Sequence, residues 1–141
     1  MNSSADIIIP VFNGFEALDL CLHSLVKTVP EGVELQIVDD ASTDARIKMA
    51  LEQFSQCKLF NVRIYQHDTN LGFVATVNAA MGRSQRDVIL LNSDTITTEG
   101  WYQRMLACLR SDIRIATVTP FSNNAEICSI PIFCEKNAVP S

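Results

Sequence analysis

Two apolar runs in this chain end in acidic, metal-capable residues. Val88-Ile89-Leu90-Leu91 runs into Asn92-Ser93-Asp94, and Leu35-Gln36-Ile37-Val38 runs into Asp39-Asp40. In a strand, side chains at i and i+2 share a face. Asn92 and Asp94 can therefore aim two oxygens at one cation from a strand's carboxyl end. A hard divalent cation held by one or two protein oxygens usually takes phosphate oxygens as well. Asp94 carries charge and is the stronger ligand, while Asn92 offers a neutral carbonyl. The same three residues also fit a strand exit closed by an Asx-turn.

Asp39 and Asp40 can accept hydrogen bonds from a base N–H or a ribose hydroxyl at a strand end. Adjacent carboxylates at a buried strand end repel one another unless a ligand faces them. The competing reading is a turn or helix-capping pair, and Asp44 suits a helix start. A third constellation is Asn70-Leu71-Gly72-Phe73 with Asn78. Gly72 lets backbone approach a ligand closely, and a helix N-terminus there would present N–H groups to phosphate or sugar. Asn78 falls mid-helix among apolar neighbours and is expected to be a buried amide with a partner. It either bridges to the Asn92–Asp94 strand or is a buried, satisfied amide of a simple helix start. His23 and His67 read as solvated or structural.

The elements that position these residues alternate. Ala5–Val11 is an apolar strand, consistent with burial on both faces. A helix follows Gly14, with Leu18, Cys21, Leu22, Leu25 and Val29 at three- and four-residue steps, and Pro30 stops it. Val33–Val38 is the second strand. The second helix is capped within Ala41–Asp44 and buries Ile47, Leu51 and Phe54. Leu59–Gln66 is the third strand, and the third helix turns Phe73, Val77, Ala80 and Met81 inward. Asp87–Asn92 is the fourth strand. Thr97 or Thr98 caps a fourth helix with Trp101, Met105, Cys108 and Leu109 on its apolar face. A fifth strand is expected at Ile113–Val118, stopped by Pro120. Ser122-Asn123-Asn124 reads as a loop, and 127–133 as an apolar stretch broken by Pro131. Strand–helix alternation predicts an α/β fold, a mainly parallel sheet with helices on both faces.

Composition bounds the function. The 141 residues are 48% hydrophobic and carry a net charge of −5, enough apolar material for one core. Basic residues are scattered, which argues against nucleic acid as a partner. Five cysteines form no C-x-x-C pair, which argues against a zinc site or disulfide framework and for a reducing compartment. Cys21 and Cys108 are expected to be buried thiols. No apolar run is long enough for a bilayer span. The chain lacks G-x-G-x-x-G after its first strand, G-x-x-x-x-G-K-[ST] and G-x-S-x-G. The dinucleotide, P-loop and α/β-hydrolase readings therefore lack their fingerprints. A nucleotidyltransferase would want a Gly- and basic-rich loop where Phe12-Asn13-Gly14-Phe15-Glu16 stands.

Taken in order, I-I-I-P-V-F-N-G (7–14), I-V-D-D-A-S-T-D (37–44), N-L-G-F-V-A-T-V-N (70–78) and L-L-N-S-D-T (90–95) resemble the family 2 glycosyltransferases. The similarity runs from Ala5 to about Pro131. It implies a Rossmann-like GT-A fold, a three-layer α/β/α arrangement truncated at its C-terminus. Residues 1–4 would be a polar lead or tag remnant, and 5–141 an incomplete nucleotide-sugar-binding domain without its acceptor half. By position, Pro10, Val11 and Phe12 would wall the nucleotide base, Phe12 replacing the usual Tyr. Asp39 and Asp40 would contact base and ribose, Asp40 the base. Asn70, Gly72 and Asn78 would belong to the nucleotide-sugar site. Asn92, Ser93 and Asp94 would form the D-x-D-type motif, with Asp94 and Asn92 on Mn²⁺ or Mg²⁺. The N-S-D form is similar to that of rhamnosyl- and galactofuranosyl-type members.

The activity implied is inverting transfer from a UDP- or dTDP-sugar to a saccharide acceptor, in polysaccharide biosynthesis. The catalytic base would lie beyond Ser141. The location would be cytoplasmic, with peripheral membrane association of the parent protein. The alternative is a non-catalytic nucleotide-sugar-binding or interaction module.

Overall fold

The computed structural model describes residues 4–125, 128–132 and 135–138. The polar lead expected at 1–4 and the apolar stretch at 127–133 fall mostly or partly outside them, as does Cys134. The chain divides into two compact units, Met1–Tyr102 and Gln103–Ser141.

In the first unit the elements are β1 (Asp6–Val11), α1 (Phe15–Thr28), β2 (Glu34–Asp39), α2 (Ala45–Phe54), β3 (Asn61–Gln66), α3 (Phe73–Met81) and β4 (Val88–Leu90). The helix α4 (Trp101–Arg110) begins at its end. The sheet order is β3-β2-β1-β4, and every pairing is parallel. From β1 to β3 the chain steps outward one strand at a time. It then returns across the sheet to place β4 on the far side of β1. Right-handed crossovers put α1 and α2 on one face and, because the direction reverses, α3 on the other. Packing agrees. Ala80 of α3 lies with Ile8 and Val38, and Tyr65 and Val88 close that cluster. The opposite pleat carries Ile7, Ile9, Leu35 and Ile37, all without exposed surface. These residues alternate along each strand, as the two-residue period requires.

α1 follows its expected stripe, burying Leu18, Cys21, Leu22 and Leu25. It ends where Val29 turns to extended backbone before Pro30. α2 starts at Asp44, whose side chain accepts from the Arg46 amide, and buries Ile47 and Leu51. Phe54 stacks on Phe60 at 6.1 Å between centroids.

Several expectations are corrected. On α3, Val77 and Ala80 are buried as expected and Thr76 joins them, but Phe73 is 53% and Met81 40% exposed. On α4 the buried residues are Tyr102 and Leu106, with Cys108 exposed. The real stripe is set by Tyr102, whose hydroxyl lies 2.8 Å from the Ala5 amide and 2.9 Å from its carbonyl. Thr97 does not cap α4. Its hydroxyl is drawn to Ser24 and Thr28 of α1, at 2.9 and 2.7 Å.

In the second unit the expected strand at Ile113–Val118 is absent. Asp112 captures its first half in a local turn. One carboxylate oxygen accepts from the Arg114 amide at 2.9 Å, the guanidinium pairs with the same carboxylate, and the Ile115 amide bonds the Asp112 carbonyl. Such side-chain-to-backbone bonds offer the chain an alternative to a ladder. The remainder of this unit is held by isolated bridges, Ser122 to Ser129 and Asn124 to Lys136. Asn137 ties it together by bonding both the amide and the carbonyl of Ile132.

Candidate functional site

The order β3-β2-β1-β4 reverses direction at β1, between β2 and β4. In open α/β sheets ligands settle beyond the strands' carboxyl ends at such a reversal. A cleft of about 790 Å³ lies there. It is lined by four separate stretches of the first unit: Pro10–Gly14 with Ala17, Asp40, Asn70–Thr76 in part, and Asn92–Asp94. That volume is within the range of small-molecule sites.

Backbone register builds its floor. Val11 pairs with Asp39, and the Asp40 amide bonds the Val11 carbonyl at 2.8 Å. β1 and β2 therefore stay in step up to the site. On the other side β4 is short, but the Leu91 amide still bonds the Ile8 carbonyl at 2.9 Å. This fixes where Asn92 leaves the sheet.

The two adjacent carboxylates, both 3% exposed, do different work. Asp39 turns inward to its own loop, with Oδ1 accepting from the Ser42 amide at 2.9 Å. It is not among the cleft-lining residues. Asp40 lines the cleft, and protein donors surround it. Oδ1 accepts from the Leu71 amide at 2.9 Å and lies 2.8 Å from His67 Nδ1. Oδ2 accepts from the Gly72 amide at 2.8 Å. The Thr76 hydroxyl lies near the carboxylate but outside hydrogen-bond geometry. Burial pushes the Asp40 carboxyl up. The His67 ring and the two amides outweigh that and hold it below its ordinary value. The repulsion expected of the pair is thus relieved by donors within the protein.

Gly72 adopts φ +82°, ψ 162°, a region only glycine enters freely. Its missing side chain leaves the α3 start without a cap of its own. Phe12 and Phe73 stand open at the cleft, each 53% exposed. Asn78 departs from expectation. It is exposed and lies outside the cleft lining, because the buried face of α3 runs through Thr76, Val77 and Ala80.

Asn92 and Asp94 are exposed on the opposite wall, with Ser93 half-buried between them. The Asn92 carbonyl accepts from the Thr95 amide at 3.1 Å, closing a turn that holds the loop. Cys21 of α1 lies beneath, its thiol 3.8 Å from the Asn92 carbonyl. Burial pushes that thiol up to about 12, with the Asp94 charge adding to the effect, so it stays protonated and inert. Further on, Ser24 accepts from the Thr97 amide, and Thr28 accepts from the Trp101 ring nitrogen. This chain of hydroxyls pins the 92–101 segment to α1.

Among the described residues no group of three His, Cys, Asp or Glu side chains converges on a metal position. An all-protein cage is therefore not what Asp94 and Asn92 form. One exposed carboxylate and one amide oxygen on the cleft wall fit a cation that takes its remaining ligands from water and phosphate.

Sequence reasoning missed Asn13. At φ 57° its side-chain oxygen accepts from the Thr43 and Asp44 amides at 2.9 and 3.1 Å. Its own amide donates to Ser42 Oγ at 2.8 Å. It joins the loop after β1 to the loop after β2. The Asn-Gly pair was a turn signal, but nothing in the sequence named its partner. Ala41 also has positive φ, 61°, strain at a strand end of the kind that collects at functional sites.

Residues 6–127 match the family model described as glycosyl transferase family 2. An uncharacterized glycosyltransferase of Haemophilus influenzae is 23% identical over 113 residues, covering 79% of this chain and 34% of that protein. Residues 1–349 of TarS from S. aureus superpose with a TM-score of 0.64 at 24% identity, over 75% of this chain and 32% of that one. The mannosyltransferase PcManGT from Pyrobaculum calidifontis, solved with GDP-Man and Mn²⁺, gives 0.57 at 20% identity, over 64% and 27%. The chain thus spans about a third of the curated relative's length. The fold is the GT-A type expected from the sequence, and by the family match the chain belongs to glycosyl transferase family 2.

Proposed function

We propose that this chain is the donor-binding domain of a glycosyltransferase. It would take a UDP- or dTDP-sugar with Mn²⁺ or Mg²⁺ for inverting transfer to a saccharide acceptor. The observation that carries this is the cleft at the sheet reversal, where Phe12, Asp40, Asn70, Gly72 and Asn92–Asp94 meet from four distant stretches. The family match supports it, as does a structural neighbour solved with GDP-Man and Mn²⁺.

Each wall has a task. The exposed Phe12 ring offers a stacking face for a base. Gly72, without a Cβ, lets a sugar or phosphate approach the backbone. Asn70 presents an amide that can both donate and accept. Asp94, with Asn92, would hold the cation. When bound, that ion neutralises charge on a leaving diphosphate. An open cleft wall places Asp94 where a diphosphate can share the ion. The N-S-D sequence fits a rhamnosyl- or galactofuranosyl-type donor specificity. The acceptor would be a growing polysaccharide, and the parent enzyme would work at the cytoplasmic face of a membrane. No helix among the described residues is long and apolar enough to cross one. The acceptor-activating base is unassigned.

A second reading, a binding module without turnover, draws on one observation. The only carboxylates lining the cleft among the described residues are Asp40, taken by protein donors, and Asp94. With Asp94 assigned to the cation, no further carboxylate among the described cleft residues is left to serve as a base.

Calorimetric titration of UDP and dTDP, with and without Mn²⁺, tests the proposal. Metal-dependent binding that Asp94→Ala abolishes, with its melting temperature unchanged, is the expected result. Equal affinity with and without metal removes the role of Asp94. Turnover assays with UDP- and dTDP-sugars and oligosaccharide acceptors separate the enzyme from the binding module.

A further inference from the structure

We infer that Asp40 and His67 form a positioning pair that sets the Asn70–Phe73 wall of the cleft, a role that rests on the donor-binding reading above. The sequence suggested that Asp40 reads the base. The geometry also ties its carboxylate to the protein. Its side chain is 5% exposed and His67's 14%, and three donors reach it within 2.9 Å.

α3 needs such a partner. Its N-cap is Gly72, which has no side chain, and its first turn holds no acidic residue. The exposed amides and the positive end of the helix dipole are therefore unanswered locally. Asp40 answers the dipole and one of those amides from another element: it accepts from Gly72, the N-cap, and from Leu71 just before it, and brings negative charge to the helix start. Gly72 makes this necessary. A glycine at φ +82° has many alternative conformations to lose, so an external contact must select one.

His67 holds Asp40 in place. Its amide bonds the Asp39 carbonyl at 2.9 Å, extending the β2–β3 ladder by one residue and fixing the ring's origin. Its Nδ1 then shares Asp40 Oδ1 with the Leu71 amide. With the ring present, one carboxylate rotamer serves both amides. Without it, the carboxylate is free to turn toward solvent. His67 itself is not among the cleft-lining residues, so any effect on ligand must pass through Asp40 and the loop.

His67→Leu and His67→Asn separate the possibilities, since asparagine places an amide nitrogen where imidazole Nδ1 stands. The readouts are a UDP titration with Mn²⁺, and hydrogen exchange at the Leu71 and Gly72 amides without ligand. His67→Leu should weaken UDP by about 10-fold, the scale of one charge-assisted hydrogen bond. Both amides should lose protection. His67→Asn should restore affinity and protection. Unchanged protection and affinity in His67→Leu overturns the inference. So does failure of His67→Asn to restore either. If the wild-type chain binds no nucleoside diphosphate, the donor-binding reading fails by itself, and amide exchange still decides whether the pair sets the wall.

Discussion

Replacing Asp40 with alanine should cost far more stability than its place on a cleft wall suggests. The substitution strips the acceptor from the Leu71 and Gly72 amides at 2.9 and 2.8 Å and leaves His67 without its partner. Hydrogen bonds to a charged acceptor contribute about 1.5–3 kcal/mol each, but the three share one carboxylate and do not add. Water entering the open cleft would recover part of the loss for the amides. A net cost of about 3 kcal/mol follows, at the lower edge of what breaking a buried charged pair costs. That is a large share of the roughly 5–15 kcal/mol that holds a domain together. Urea unfolding followed by circular dichroism measures it.

The pH dependence adds an independent check. The folded Asp40 carboxyl lies below its ordinary value, so the unfolded chain binds its proton first as pH falls. Its stabilisation is complete above the unfolded value near 3.9 and is lost as pH drops through the lower folded one. Wild type and Asp40→Ala should therefore differ fully at pH 7 and converge in acid. A loss under about 0.5 kcal/mol, or a difference that does not shrink at low pH, refutes the argument.

Other substitutions probe the same frame. Gly72→Ala meets no atom within 4 Å, so its cost is purely conformational, about 1–3 kcal/mol, read as a lower urea midpoint with weaker UDP binding. Asn13→Ala removes the acceptor shared by the Thr43 and Asp44 amides and should cost about 1–2 kcal/mol by the same assay. Asn13→Gly should not restore it, because the missing part is the side-chain oxygen rather than the backbone. Ala41→Gly should stabilise by about 0.5–1 kcal/mol, since relief at φ 61° exceeds the entropy glycine adds. A lower midpoint for Ala41→Gly would show that the strain assigned there is absent.

Much of the architecture was legible because it depends on local periodicity. The continuous apolar run at Ala5–Val11 and the stripe Leu18, Cys21, Leu22 and Leu25 specify a buried strand and a one-faced helix whatever surrounds them. The spacing of Asp39-Asp40, Asn70–Gly72 and Asn92–Asp94 behind strands was enough to place all three at one end of a parallel sheet. Where a local pattern had two answers, tertiary contacts chose. Phe73 and Asn78 stand on the exposed side of α3 because Thr76, Val77 and Ala80 fill its buried face. The stripe of α4 turned to bury Tyr102, whose hydroxyl found the Ala5 backbone. The strand at Ile113–Val118 was lost to a turn that Asp112 closes.

The sequence by itself determined which residue types stand at the carboxyl ends of the strands, and so which side chains the cleft can offer. Only the tertiary structure decided what each carboxylate does. Asp39 and Asp40 are neighbours of identical chemistry, and no pattern along the chain separates them. Successive side chains leaving a strand diverge, so one meets the Ser42 amide of its own loop and the other meets amides 31 and 32 residues away. A long-range hydrogen bond has no sequence signature, because its partner is chosen by the fold.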